Sequence, residues 1–156
     1  MRHPIMRILG IIAALGSTTA FCEPTAPGAS VFANHCAVCH GPDAAGIPGS
    51  FPPLHKQIVE FARTPAGRDY LVMVVTTGLV GELQVGGGTY RGVMPPQSTL
   101  SEAEVAAVLT YLASGLGKVK PAPAAFNAKE VTEIRARHPD KSAPNTRALR
   151  PGATTP

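Results

Sequence analysis

The apolar positions after residue 27 fall into a few short groups separated by glycine- and proline-rich stretches. Val31 and Phe32, with His35 one turn on, follow helical spacing and predict a first helix over 28–40, with Phe32 buried. Thr64-Pro65 reads as an N-cap followed by a proline in the first turn. Tyr70, Leu71, Val74 and Val75 then form a stripe that Gly78 closes, so a middle helix is expected there. Ser101 with Glu104 spells a capping box, flanked by Leu100 and Val105 at staple positions. Val105, Val108, Leu109 and Leu112 supply one apolar face, with Tyr111 expected against the first helix. Between the last two helices, 80–92 (VGELQVGGGTYRG) alternates weakly and reads as a small hairpin or an irregular loop. Asn127 with Glu130 is a further capping pair ahead of Val131 and Ile134, a stripe so narrow that its helix must dock on something to persist. Residues 140–156 read as disordered.

Residues 1–20 read as an export signal: Arg2 and Arg7, an apolar run from Ile8 to Leu15, then Ser17-Thr18-Thr19-Ala20. Cleavage is expected after Ala20, with Cys22 as second choice. The apolar run is shorter than the roughly 20 residues a membrane span needs, so membrane contact is peripheral, and only if the leader stays uncleaved. The expected organisation is a signal peptide over 1–20, a folded domain over 24–117, and a linker, short helix and basic tail over 118–156. Export places the mature chain in the periplasm, where a cysteine pair is expected to be oxidised or bound to something.

Charge follows the same divisions. The whole chain holds 14 Lys+Arg against 10 Asp+Glu. The body is slightly acidic, while the tail carries Lys118, Lys120, Lys129, Arg135, Arg137, Lys141, Arg147 and Arg150. A nucleic-acid surface needs basic residues interleaved with aromatics on the folded part, and the body lacks them. The tail reads either as a solvated extension or as a handle for a partner. Gly86-Gly87-Gly88 lacks the lysine and spacing of a phosphate-binding loop.

The chemistry lies in Cys36-Ala37-Val38-Cys39-His40, a C-x-x-C-H run. Two thiols three positions apart on a helical turn reach the two vinyl groups of one haem, and the next residue then sits under the iron as an imidazole ligand. A thiol–disulfide site does not need His40, and a zinc site needs two further ligands that the scattered histidines do not supply. For the second axial ligand, Met94 precedes Pro95-Pro96, which keep it extended. Met73 in an apolar helical run and His55 at a loop-to-helix junction are the competitors.

These blocks together resemble the class I monohaem c-type cytochromes of the bacterial periplasmic type. Val31-Phe32, Cys36-x-x-Cys39-His40-Gly41, Pro52-Pro53-Leu54 and Tyr90-Arg91-Gly92-Val93-Met94-Pro95-Pro96 occur in that family's order, over about Gly28 to Gly117. The resemblance implies an all-α cytochrome c fold, three main helices around one covalently bound haem c and its iron, with His40 and Met94 as axial ligands. It further implies that the Pro52 carbonyl accepts from His40, that Leu54 packs on the haem, that Tyr90 and Arg91 meet a propionate, and that Gly28 lets the first and last helices cross closely. The implied function is one-electron transfer, without catalytic residues, as a carrier or cytochrome subunit. Its redox partners would be a periplasmic dehydrogenase or reductase on one side and a terminal oxidase on the other. A haem protein whose methionine detaches to bind NO, CO or peroxide is the alternative.

Overall fold

A computed structural model describes residues 27–140 and 142–152, so the leader lies outside the described residues. Helix α1 (Gly28–His35) and the single turn α2 (Ala37–His40) meet at Cys36, whose φ of −114° interrupts what the sequence predicted as one helix. A glycine- and proline-rich loop leads to α3 (Lys56–Phe61) and then to α4 (Pro65–Thr77). Thr64 caps α4 by accepting from the Gly67 N–H at 3.1 Å, with Pro65 at the first helical position.

The expectation of an all-α body needs correction. Strands β1 (Leu79–Val85) and β2 (Gly88–Met94) form an antiparallel hairpin, paired from Leu79 with Met94 to Val85 with Gly88. The cause is the turn: Gly86 and Gly87 take φ of +57° and +81°, the pair of left-handed positions that a two-residue hairpin requires. The result is a helical cytochrome c fold with one small sheet.

Helix α5 (Glu102–Ala113) starts at the capping box. The Ser101 hydroxyl accepts from the Glu104 N–H, and the Glu104 carboxylate accepts from the Ser101 N–H at 2.9 Å. Its apolar face crosses α1, where the Phe32 and Tyr111 rings meet tilted, with centroids 5.9 Å apart. Val31, Phe32, Leu71, Val105, Val108 and Leu109 form the centre of the core.

The tail is part of this body. Helix α6 (Ala128–Arg137) is capped by Asn127, and Val131, Ile134 and the preceding Phe126 are buried. Arg68 of α4 anchors it with a two-pronged ion pair to Glu130 at 2.5 and 2.6 Å, while its guanidinium covers the Phe126 ring at 3.6 Å. Residues 142–152, expected to be disordered, instead contain α7 (Ala143–Ala148), which packs on α4 and β1. Its Thr146 is buried with its hydroxyl 2.6 Å from that of Thr77. Among the described residues no helix is long and apolar enough to cross a membrane.

Candidate functional site

One end of α1 and the α2 turn face a cavity of about 420 Å³. Cys36, Cys39 and His40 line one side. Tyr90, Arg91 and Met94 of the hairpin line another, Pro52 and Leu54 of the long loop a third, and Val108, Leu109 and Leu112 of α5 the back. The turn holds its three reactive side chains on one short stretch of backbone: Cys36 N–H donates to the Phe32 carbonyl at 2.9 Å and His40 N–H to the Cys36 carbonyl at 2.9 Å.

His40 is 8% exposed. Its Nδ1 lies 2.9 Å from the Pro52 carbonyl, which can only accept, so Nδ1 carries the proton and Nε2 keeps its lone pair. Burial lowers the His40 pKa below the ordinary histidine value, opposed in part by the Pro52 hydrogen bond, so the ring is a neutral imidazole at pH 7. No disulfide joins Cys36 and Cys39. The Cys36 thiol is pushed up to about 11, first by burial and then by the neighbouring Cys39. Redox-active cysteine pairs work through a lowered thiol pKa, so this environment opposes thiol–disulfide exchange. Among the described residues no three Cys, His, Asp or Glu side chains gather as a metal-ion cage, which opposes zinc.

Met94 is the last residue of β2 and not a loop residue. Gly78, at the end of α4, makes its position possible: a Cβ on Gly78 would lie 2.4 Å from the Met94 carbonyl oxygen. After Pro95-Pro96, Gln97 N–H returns to the Val75 carbonyl at 2.9 Å, so the segment is tied to α4 on both sides. The competing ligands are placed elsewhere. Met73 is 1% exposed in the core and does not line the cavity, and His55 is exposed at the start of α3.

The donors fit a haem c: two thiols, an imidazole nitrogen and a thioether around one largely apolar space. Residues 23–112 match the family described as cytochrome c oxidase, cbb3-type, subunit III. Over 114 residues the chain is 40% identical to cytochrome c-552 of Thermus thermophilus, covering 72% of this chain and 86% of that protein. Over 122 residues it is 29% identical to the cytochrome c subunit of alcohol dehydrogenase (quinone) from Gluconacetobacter polyoxogenes, covering 70% of this chain and 22% of that subunit. The chain belongs to this family of c-type cytochromes. Its cofactor is one covalently bound haem c with its iron. Its work is electron transfer, as a carrier and not as a catalyst.

All eight residues singled out in the sequence as cofactor contacts border the cytochrome's cavity. The Arg91 guanidinium lies 2.6 Å from the Glu82 carboxylate across the hairpin, with 73% of its side chain exposed. The carboxylate it meets here belongs to the protein. Tyr90 is half-buried opposite Leu83. The sequence reading missed Gln57, Tyr70, Leu83, Val85 and Arg150, which also line the cavity. Tyr70 had a signal, since it lies on the α4 stripe. Arg150 had none, because 93 residues separate it from its partner Gln57.

Proposed function

We propose that this cytochrome carries single electrons through a haem fastened to Cys36 and Cys39, with His40 Nε2 and Met94 Sδ as the axial ligands. The observation that carries the reading is the convergence of both thiols, the imidazole and the thioether on one cavity. When bound, the group supplies the Fe(III)/Fe(II) couple, and His/Met ligation favours a relatively high potential. The chain's own part is to hold the two ligands. The Pro52 carbonyl fixes the tautomer and the plane of the His40 ring. Strand β2 and Pro95 hold the Met94 backbone extended, so the thioether need not be ordered at each change of oxidation state. Were His40 and Met94 both to hold the iron, substrate would find no open coordination site. Leu54, Leu109 and Leu112 keep the surroundings apolar.

The setting proposed is the periplasm, supported by the leader over residues 1–20. The partners proposed are a dehydrogenase as electron donor and a respiratory oxidase as acceptor. The likeness to a dehydrogenase cytochrome subunit and to the oxidase-subunit family supports these two sides. The test is spectroscopic. The oxidised protein is expected to show the near-infrared thioether–iron charge-transfer band, and the reduced protein to leave its spectrum unchanged under CO. Rapid CO binding by the wild-type protein at neutral pH would replace this reading with a ligand-binding one.

A further inference from the structure

A positive charge in the same cavity has no part in the ligand scheme. Arg150 follows α7 and reaches back to the cavity lining. Its Nη2 donates to the Gln57 side-chain oxygen and to the Gln84 carbonyl, each at 2.8 Å. Both acceptors are neutral. Its Nε is buried and lacks a hydrogen-bond partner, the one such side-chain nitrogen or oxygen among the described residues. A buried donor without an acceptor is costly, and a charged one more so.

The lining as a whole sharpens the point. It includes two arginines, Arg91 and Arg150, and no aspartate or glutamate. Arg91 has its carboxylate in Glu82. Arg150 has none within ion-pair distance among the described residues. The cofactor brings two propionate carboxylates into this space. We propose that Arg150 binds one haem propionate through its buried Nε–H, so that the C-terminal tail forms part of the cofactor site. This rests on the reading above, that the cavity holds the haem between His40 and Met94.

The surroundings suit the role. Gln57 and the Gln84 carbonyl take the Nη2 hydrogens and fix the guanidinium from α3 and β1, leaving the Nε–H free to donate to one carboxylate oxygen. Burial raises the Tyr70 pKa, while the adjacent Arg150 guanidinium pulls it down, which puts a neutral phenol beside the cation on the α4 side. The tail segment thereby contributes the carboxylate-binding charge that the sequence resemblance assigned to Arg91. A fixed cation at the propionate offsets its negative charge and favours Fe(II).

The test uses haem-loaded, full-length R150Q and R150K proteins. R150Q is expected to move the Fe(III)/Fe(II) equilibrium toward Fe(III) on the order of threefold to tenfold, a midpoint lower by about 28 to 59 mV for a one-electron couple. Its propionate-bending band in the resonance Raman spectrum is expected to shift, and R150K to recover most of the potential. A folded R150Q protein with wild-type midpoint and propionate band overturns the proposal. The thioether–iron band and the mass of the attached haem are read on the same samples. Their absence from the wild type sinks the underlying ligand reading, whereas their presence beside an unmoved midpoint sinks only the role of Arg150. If R150Q does not fold, a crystal structure of the wild-type holoprotein decides. A propionate oxygen at hydrogen-bond distance from Nε supports the proposal, and two propionates held elsewhere overturn it.

Discussion

Gly28 sets the distance between α1 and α5, and adding one methyl group there measures how much that distance matters. A Cβ on Gly28 would lie 2.1 Å from the Ala107 carbonyl oxygen, 2.7 Å from its carbon and 2.8 Å from Tyr111 Cβ. Carbon–oxygen contacts of this kind normally sit at about 3.3 Å or more, so roughly 1 Å must be found. The two nearest obstructing atoms belong to the Ala107 backbone in the middle of α5, and they cannot retract without breaking that helix. Helix α1 must therefore lift, and Val31 and Phe32, exposed only 3% and 2%, lift with it. Overpacking of this type costs about 1–3 kcal/mol. Alanine's better helix propensity returns at most ~1 kcal/mol, and less at a helix end. A net loss of about 2 kcal/mol for G28A lowers the melting temperature of a domain this size by roughly 6–10 °C. Thermal unfolding of the haem-loaded protein, followed by far-UV circular dichroism, reads this directly. Ser30 is the control, exposed on the same helix and away from the crossing, so S30A is expected to melt as the wild type does. A G28A protein as stable as S30A would refute the close-crossing argument.

Three further outcomes follow from other contacts. G78A pushes on the Met94 carbonyl and is expected to loosen the thioether, so that the reduced variant binds CO where the wild type does not; an unreactive variant would mean that β2 does not depend on this approach. R68A strands the Glu130 carboxylate and uncovers Phe126, at a cost of about 2–4 kcal/mol, and hydrogen exchange should show amides 128–137 opening before those of α5. The Glu104 pKa is lowered by hydrogen bonds from the Ser101 backbone and hydroxyl, so its contribution is complete above the ordinary glutamate value near ~4.3 and fades as pH falls through the depressed one. In E104Q the acid limb of the stability profile should lose that component, and an identical profile would remove Glu104 from the account.

What was legible in the sequence was local. Thr64-Pro65, Ser101 with Glu104 and Asn127 with Glu130 each mark a helix start within four residues, and all three helices begin there. The C-x-x-C-H run was readable because one turn of backbone suffices to present its three side chains. Helix α3 escaped because it has six residues and no side-chain cap. The hairpin stayed ambiguous because its outer face is only weakly alternating, and the decision falls to two glycines at the turn. Helix α7 has only six residues, and its N-cap Ser142, followed by Pro144, makes no side-chain cap bond. It packs on α4 and β1 with Thr146 bonded to Thr77, and its neighbour Arg150 is held from Gln57 and Gln84, at separations of 69, 93 and 66 residues.

The basic tail on an acidic body invited a reading in which the excess charge waits for a partner, but the pairs formed within the chain argue for a nearer use. Arg135 binds Glu102 at 2.5 Å, Arg137 and His138 share Asp69 at 2.6 and 2.9 Å, and Glu130 returns the exchange to Arg68. Two of the body's six carboxylates, one on α4 and one at the start of α5, are thus answered by the tail. The pairs to Glu102 and Asp69 are partly exposed and contribute little alone, but together with the more buried Arg68–Glu130 pair they fix the register in which Phe126, Val131 and Ile134 bury. Burial supplies the stability and charge supplies the placement. Correct placement of α6 in turn sets where the chain re-enters toward α7, and so where Arg150 arrives. Part of the tail's charge, on Arg135 and Arg137, is thus used inside the chain, on the helix that precedes the segment carrying Arg150 to the cavity lined by Cys36, Cys39 and His40.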